Sequence, residues 1–255
     1  MFQFIQNWFD RRTLERSTIT SLQWAVAFVS LPLLRGLSAD EKQGLQELAI
    51  LFCHRKVFES THGLVVTRAM KLIIALQACL PVLKLGLQRY EGWVSVIVYP
   101  SGFAPKRVIR DEYGVEHHVQ SNLAGEAWHR GPVILAWDEA EHSGIVDGHN
   151  LVIHEFAHKL DMQNGEANGF PPLHEGMDSI AWTEAFNTGY EDLQRKCSAG
   201  QDIGIDCYAA SSPAEYFAVS SEVFFERPDV LQRHYAAVYE QLRQYYRQDP
   251  LARLA

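Results

Sequence analysis

Residues 152–161 read VIHEFAHKLD, with two histidines four positions apart and a glutamate directly after the first. Four residues make about one helical turn, so His154 and His158 share a face with Cβ atoms about 5–6 Å apart. Two neutral imidazoles so placed can aim at one cation, and zinc takes imidazole nitrogen at about 2.0–2.1 Å. Glu155 sits beside the first histidine and off that coordination position. There it is placed to take a proton from water activated by the metal. The neighbours argue against coincidence. Leu151, Val152, Ile153, Phe156, Ala157 and Leu160 make the helix apolar on most sides. Ionisable groups inside a buried helix are costly unless paired or metal-bound.

A catalytic zinc needs a third protein ligand and an open position. The pattern HExxHxxGxxH is excluded, because Asp161 stands where the glycine belongs and Asn164 where the last histidine belongs. The remaining solution is a glutamate from a later helix. Residues 206–228, DCYAASSPAEYFAVSSEVFFERP, contain two candidates. Ser212-Pro213 is a good helix start, and Glu215 and Glu222 follow seven apart, on one face and among aromatics. Carboxylates on an apolar face need a partner. On spacing alone, either one serves.

Outward from the motif, the first ninety residues read as helices. SADE (38–41) fits a capping box, followed by helical spacing through EKQGLQELAILFCHRKVF (41–58) and VTRAMKLIIALQACLPVL (66–83). The character then changes: WVSVIVYP (93–100) and GPVILAW (131–137) read as strands, and 106–110 with 115–119 as a hairpin across DEYG. The motif helix stops near Asn164-Gly165, and the pattern is helical from Trp182 onward with a break around 198–206. The expected fold is α+β, mainly helical with a small mixed sheet: a helical N-terminal lobe (1–90) and a catalytic region (91–255), forming one compact unit.

Composition narrows the function. The 255 residues are 47% hydrophobic and 21% charged, the range of a globular protein. A formal net charge of -8 argues against nucleic acid as the main partner. The most apolar stretch, LIIALQACLPVLKLGL (72–87), is interrupted by Gln77, Pro81 and Lys84 and falls short of a bilayer span. MFQFIQNWFDRRTLERS lacks the layout of a secretory signal. Cys53, Cys79, Cys197 and Cys207 are widely spaced with no CxxC pair, so free thiols in a reducing, cytoplasmic setting are expected. His117, His118, His129, His142, His149 and His174 have no partner at ligand spacing and read as surface or loop residues. Asp138, Glu139 and Glu141 read as a solvated acidic turn with a possible say in substrate choice.

Taken together, HEFAHKLD, GPVILAW, YAASSPAEYFAVSSEVFFE and the closing YEQLRQYYRQDP resemble the Mlc titration factor A family. These are bacterial zinc metallopeptidases whose catalytic core is similar to anthrax lethal factor. The resemblance covers most of the chain, including IIALQACLPVLKLG and the strand ending VYP. It implies a zincin-like core of gluzincin type, one zinc per chain held by His154, His158 and Glu215, and Glu155 as general base. The family carries a tyrosine seven residues before the ligand glutamate, the position of Tyr208, and the resemblance implies that its phenol donates to the oxyanion. Glu222 then orients a ligand histidine. Asp161 is either a similar support or a helix-end residue. The implied activity is aminopeptidase-like, with the peptide along an edge strand such as GPVILAW. The implied second role is binding the glucose-responsive repressor Mlc, which regulates glucose-uptake genes. The other reading is a regulatory binding protein with a structural or vestigial zinc site.

Overall fold

The computed structural model describes residues 2–102, 106–110, 116–120 and 125–254. Four helices open the chain: α1 (Phe2–Glu15), α2 (Ser21–Val29), α3 (Ala39–Arg55) and α4 (Arg68–Cys79). The capping box forms as the sequence implies. Ser38 Oγ accepts from the Glu41 amide at 3.2 Å, and Glu41 Oε2 accepts from the Ser38 amide at 2.9 Å. α4 is buried over most of its later turns, where Leu72, Ile74, Ala75, Leu76 and Ala78 are all covered. No helix among the described residues is long and apolar enough to cross a membrane.

The sheet has the order β1 (Val57–Ser60), β2 (Ser95–Tyr99), β6 (Val133–Ala136), β5 (Gly125–Ala127). The pairs β1–β2 and β2–β6 are parallel, whereas β5 runs antiparallel to β6 with Gly125 opposite Leu135. A separate hairpin pairs β3 (Lys106–Arg110) with β4 (Glu116–Gln120), and the expected turn between them lies outside the described residues. Two expectations need correction. GPVILAW is not an edge strand: its residues 133–136 lie between β2 and β5 and are buried on both faces, as their unbroken apolar run befits. The edges are β1 and β5, and β5 is a three-residue strand too short to show a period. Helix α3 also ends at Arg55, and Val57-Phe58, read as its continuation, begin β1.

The rest is helical: α5 (Trp137–His142), α6 (Leu151–Asp161), α7 (Ser179–Ser198), α8 (Pro213–Glu226), α9 (Pro228–His234) and α10 (Ala236–Tyr246). The acidic run 138–141 is thus a short helix, not a turn. The motif helix α6 is anchored by Phe156, whose ring lies 5.1–5.7 Å from those of Tyr90, Phe52 and Trp93. Its Lys159 is buried and donates to the carbonyls of Trp128 and Gly131, just before β6. That ties α6 to the sheet with hydrogen bonds as well as apolar contact. α8 is buried from Tyr216 to Glu226 and packs on α6 from the other side.

The cysteine expectation fails for one pair. Cys197, near the end of α7, forms a disulfide with Cys207, while Cys53 and Cys79 are free. The break after α7 is a tight return that brings the two Cα atoms to 5.7 Å, within bridging range. Spacing along the chain does not reveal that return.

Candidate metal centre

Asn150 starts the motif helix by accepting from the Ile153 amide at 2.9 Å. From there α6 carries His154 and His158 on the face turned to α8, and the first turn of α8, capped by Ser212, carries Glu215. The donors converge. His154 Nε2 lies 3.0 Å and His158 Nε2 3.3 Å from Glu215 Oε2, and the two nitrogens are 3.2 Å apart. Donors held at about 2.0–2.1 Å around one tetrahedral cation are about 3.3–3.4 Å apart, so the spacing fits a zinc-sized ion. The three residues form the candidate metal cluster among the described residues.

The charges are mutually dependent. Burial alone would depress the basicity of His154, but the carboxylates of Glu222 and Glu215 raise it well above the usual histidine range. Burial would raise Glu215, yet its hydrogen bonds to His154 and His158 pull it below the usual carboxylate range. A cation at the same point would do for the carboxylate what the imidazole protons do in its absence.

Glu155 is 4% exposed, and its Oε2 is buried without a hydrogen-bond partner among the described residues. Burial pushes its carboxyl up, against the lowering influence of the two histidines. Its side chain leans on the backbone of β5. A Cβ built on Gly125 would come within 2.7 Å of Glu155 Cγ and 2.6 Å of Leu151 Cδ1. Only glycine leaves that space. Tyr208, on the turn Cys207–Ala210, is half-exposed, and its ring centroid lies 6.1 Å from that of His154.

Behind the donors lies a polar frame. Glu222 Oε1 accepts from His154 Nδ1, and its Oε2 accepts from the Asn150 amide. Glu226 accepts from Asn150 Nδ2 and from the Gly148 amide, and Gln77 of α4 accepts a second bond from Asn150 Nδ2. Among the described residues Asp161 hydrogen-bonds neither His154 nor His158. Its Oδ2 accepts from the amides of Asn168 and Gly169 and fixes the loop after α6. Gly169, at φ +80°, brings that loop against Pro213 of α8.

A family profile described as glucose-regulated metallo-peptidase M90 matches residues 5–247. The chain belongs to this family. It is 40% identical over 235 residues to Mlc titration factor A of Yersinia pestis (strain Pestoides F), which covers 91% of this chain and 86% of that protein. Mlc titration factor A of Yersinia pseudotuberculosis serotype O:1b matches to the same extent.

A cleft opens beside His154, at one side of the convergent donors. It is lined by Gly125, Leu151, His154, Glu155 and Tyr208, then by Glu139, His142, Asp147, His149 and Asp206. Of the acidic run, Glu139 alone lines it. His142 and His149 border the cleft without joining the cluster, His129 lies 3.5 Å from Glu166, and His174 bonds the Gln244 carbonyl. The side chains of His117 and His118 lie outside the described residues. Sequence reasoning missed Asn150, Glu226, Gln77 and Gly125. Asn150 carried a usable signal, an asparagine directly before the first apolar turn. Nothing local marks the others.

Proposed function

We propose that this M90 member is a cytoplasmic, zinc-dependent, aminopeptidase-like enzyme, with His154, His158 and Glu215 as zinc ligands and Glu155 as general base. The observation that carries this is the convergence of three donor atoms beside a buried carboxylate that has an unpartnered oxygen. When bound, zinc supplies Lewis acidity, which polarises the scissile carbonyl and acidifies water. Glu155 accepts the proton of the attacking water and passes it to the departing amine. Its raised proton affinity suits it to both transfers, because a base poised nearer neutrality also serves as the acid. Tyr208 donates its phenol to the carbonyl oxygen as negative charge develops there. Glu222 holds the His154 ring with Nε2 toward the metal.

The peptide lies along β5, the strand that ends the sheet beside β6, where its backbone adds a strand's hydrogen bonds. Glu139, Asp147 and Asp206 line the same cleft, and no lysine or arginine lines it among the described residues. That balance suits a free α-ammonium group. The test is metal analysis with a panel of free and N-acetylated peptides. One zinc per chain and hydrolysis confined to free N-termini are expected. Hydrolysis that ignores N-acetylation would remove the aminopeptidase assignment.

A second reading concerns binding. The name of the Yersinia relatives points to a repressor partner, Mlc, and we carry that partner to this chain as a role separable from hydrolysis. A stable protein contact needs about 800 Å² per partner, more than a one-metal cleft offers. Glu155→Gln, folded and metal-loaded, should therefore bind purified repressor as the wild type does. Parallel loss of binding and hydrolysis would instead make the repressor a substrate, and no binding by either protein would remove this role.

A further inference from the structure

The disulfide adjoins the residue that the proposed reaction needs for its oxyanion. Cys207 directly precedes Tyr208 on the same short turn, and its partner Cys197 belongs to α7. The bond lies in an open depression of about 580 Å³. Asp147, His149 and Asp206 line both this depression and the metal cleft. Cys207 is exposed and Cys197 half-buried, so a small thiol can reach the sulfurs.

We propose that Cys197 and Cys207 are a reversible thiol–disulfide modification site that sets the position of Tyr208 and thereby the turnover of the enzyme. The proposal rests on the peptidase reading above. The turn is held unevenly. Its far end is secure without the disulfide, because Ala209 is fully buried and the Ala210 carbonyl accepts from Tyr190 Oη and Gln194 Nε2, both on α7. At the near end Ile205 is buried, Asp206 Oδ1 accepts from the Tyr208 amide, Asp206 Oδ2 lies 3.8 Å from His149 Nδ1, and the disulfide is the covalent tie of Cys207 to α7. Breaking the disulfide removes the covalent tie between exposed Cys207 and α7, so that Cys207 and Tyr208 can shift between the buried Ile205 and Ala209.

His154 and His158 are on α6 and Glu215 is on α8, so none belongs to the released segment. Reduction should therefore lower kcat and leave zinc in place. In a reducing compartment, disulfides that do form are mostly transient and serve catalysis or sensing. The co-reactant is a low-molecular-weight disulfide of the glutathione type. One protein thiolate attacks it and expels one thiol, and the second protein thiolate then closes the bond and expels the other. Two electrons pass to the small disulfide, and the two protein thiol protons end on the two released thiols.

The test uses the zinc-loaded full chain equilibrated with glutathione or with glutathione disulfide. Thiol titration under denaturing conditions should find four thiols after reduction and two, Cys53 and Cys79, after oxidation. The reduced enzyme should show kcat about 10-fold lower, short of the ~10²-fold expected for complete loss of an oxyanion donor. Zinc content should be equal in the two states. Tyr208→Phe should be slow in both states and lose the redox dependence, since both changes act through one group. Cys197→Ser, which cannot close the bond, should match the reduced enzyme when equilibrated with glutathione, with Cys207→Ser as the second variant should the first fail to fold. Equal kcat in two states that differ by two thiols, loss of zinc on reduction, or redox dependence that persists in Tyr208→Phe would each overturn the proposal. Should neither state hydrolyse peptides, the peptidase reading fails by itself and amide exchange decides. Faster exchange at residues 205–208 on reduction would support the hinge, and unchanged exchange would overturn it.

Discussion

Glu222 Oε1 accepts a 2.7 Å hydrogen bond from His154 Nδ1, and Glu222 Oε2 accepts from the Asn150 amide at the start of the same helix. One carboxylate therefore fixes both the ring orientation of a proposed ligand and the position of its helix. Glu222→Gln should weaken zinc binding about 10–100-fold, measured by competition with a chromogenic chelator. Glu215→Ala should instead leave the site empty at equal metal activity. Reversal of that order would make Glu222 the ligand.

Glu155→Gln should keep its zinc and its fold while nearly all hydrolysis disappears, because an amide cannot take the proton of water. Metal analysis and steady-state rates on the same preparation decide this. Substantial turnover by the zinc-loaded variant would move the base elsewhere.

Gly125→Ala tests the contact between β5 and the base. The added methyl occupies the space in which Glu155 Cγ and Leu151 Cδ1 lie, so the carboxylate must shift. We expect kcat to fall about 10–10²-fold, since a displacement near 1 Å can have that effect. Zinc content should be unchanged. A variant with wild-type kcat would show that Glu155 tolerates the displacement.

Glu226 gives stability a pH dependence. It is 2% exposed, and burial pushes its carboxyl up to about 7 from an ordinary 4.5, against the lowering influence of Asn150 and the Gly148 amide. Between those values the folded chain holds a proton that the unfolded chain has released. Its contribution is therefore complete below about pH 4.5 and is lost as pH rises to about 7, about 3 kcal/mol in all. Glu226→Gln should remove that component. The test is the difference in urea midpoints between variant and wild type across pH 4–8, and a constant difference would refute the assignment.

The helices were legible where a cap or a period marked them. Ser38 with Glu41 and Ser212 with Pro213 start α3 and α8 at the positions their residue types imply. The pairing of His154 with His158 was legible because a 3.6-residue period places side chains before any tertiary structure is known, whereas spacing left Glu215 and Glu222 open and only the family resemblance chose between them. The register of the sheet was not. Gly125–Ala127 is too short for a period, and Val57-Phe58 extends the apolar pattern of the helix before it. The Gln77–Asn150–Glu226 frame joins residues more than seventy positions apart, and no local pattern reports such pairings. The same holds for Cys197 and Cys207, whose meeting depends on how the chain turns after α7.

Helix α7 lies between the two histidines and Glu215 in the chain, which bears on how the protein is made. A ribosome releases α6 well before α8, so the emerging chain passes through a stage with two imidazoles and no third donor. Phe156 can find Phe52, Tyr90 and Trp93 at that stage, because all of them precede it. His154 must wait for Glu222, and any metal must wait for Glu215. Tight binding of the proposed metal would thus be a late event that marks the docking of α8, and from then on the ion would selectively stabilise the folded chain. Chelation should accordingly speed the undocking of α8 more than the loss of the aromatic cluster around Phe156.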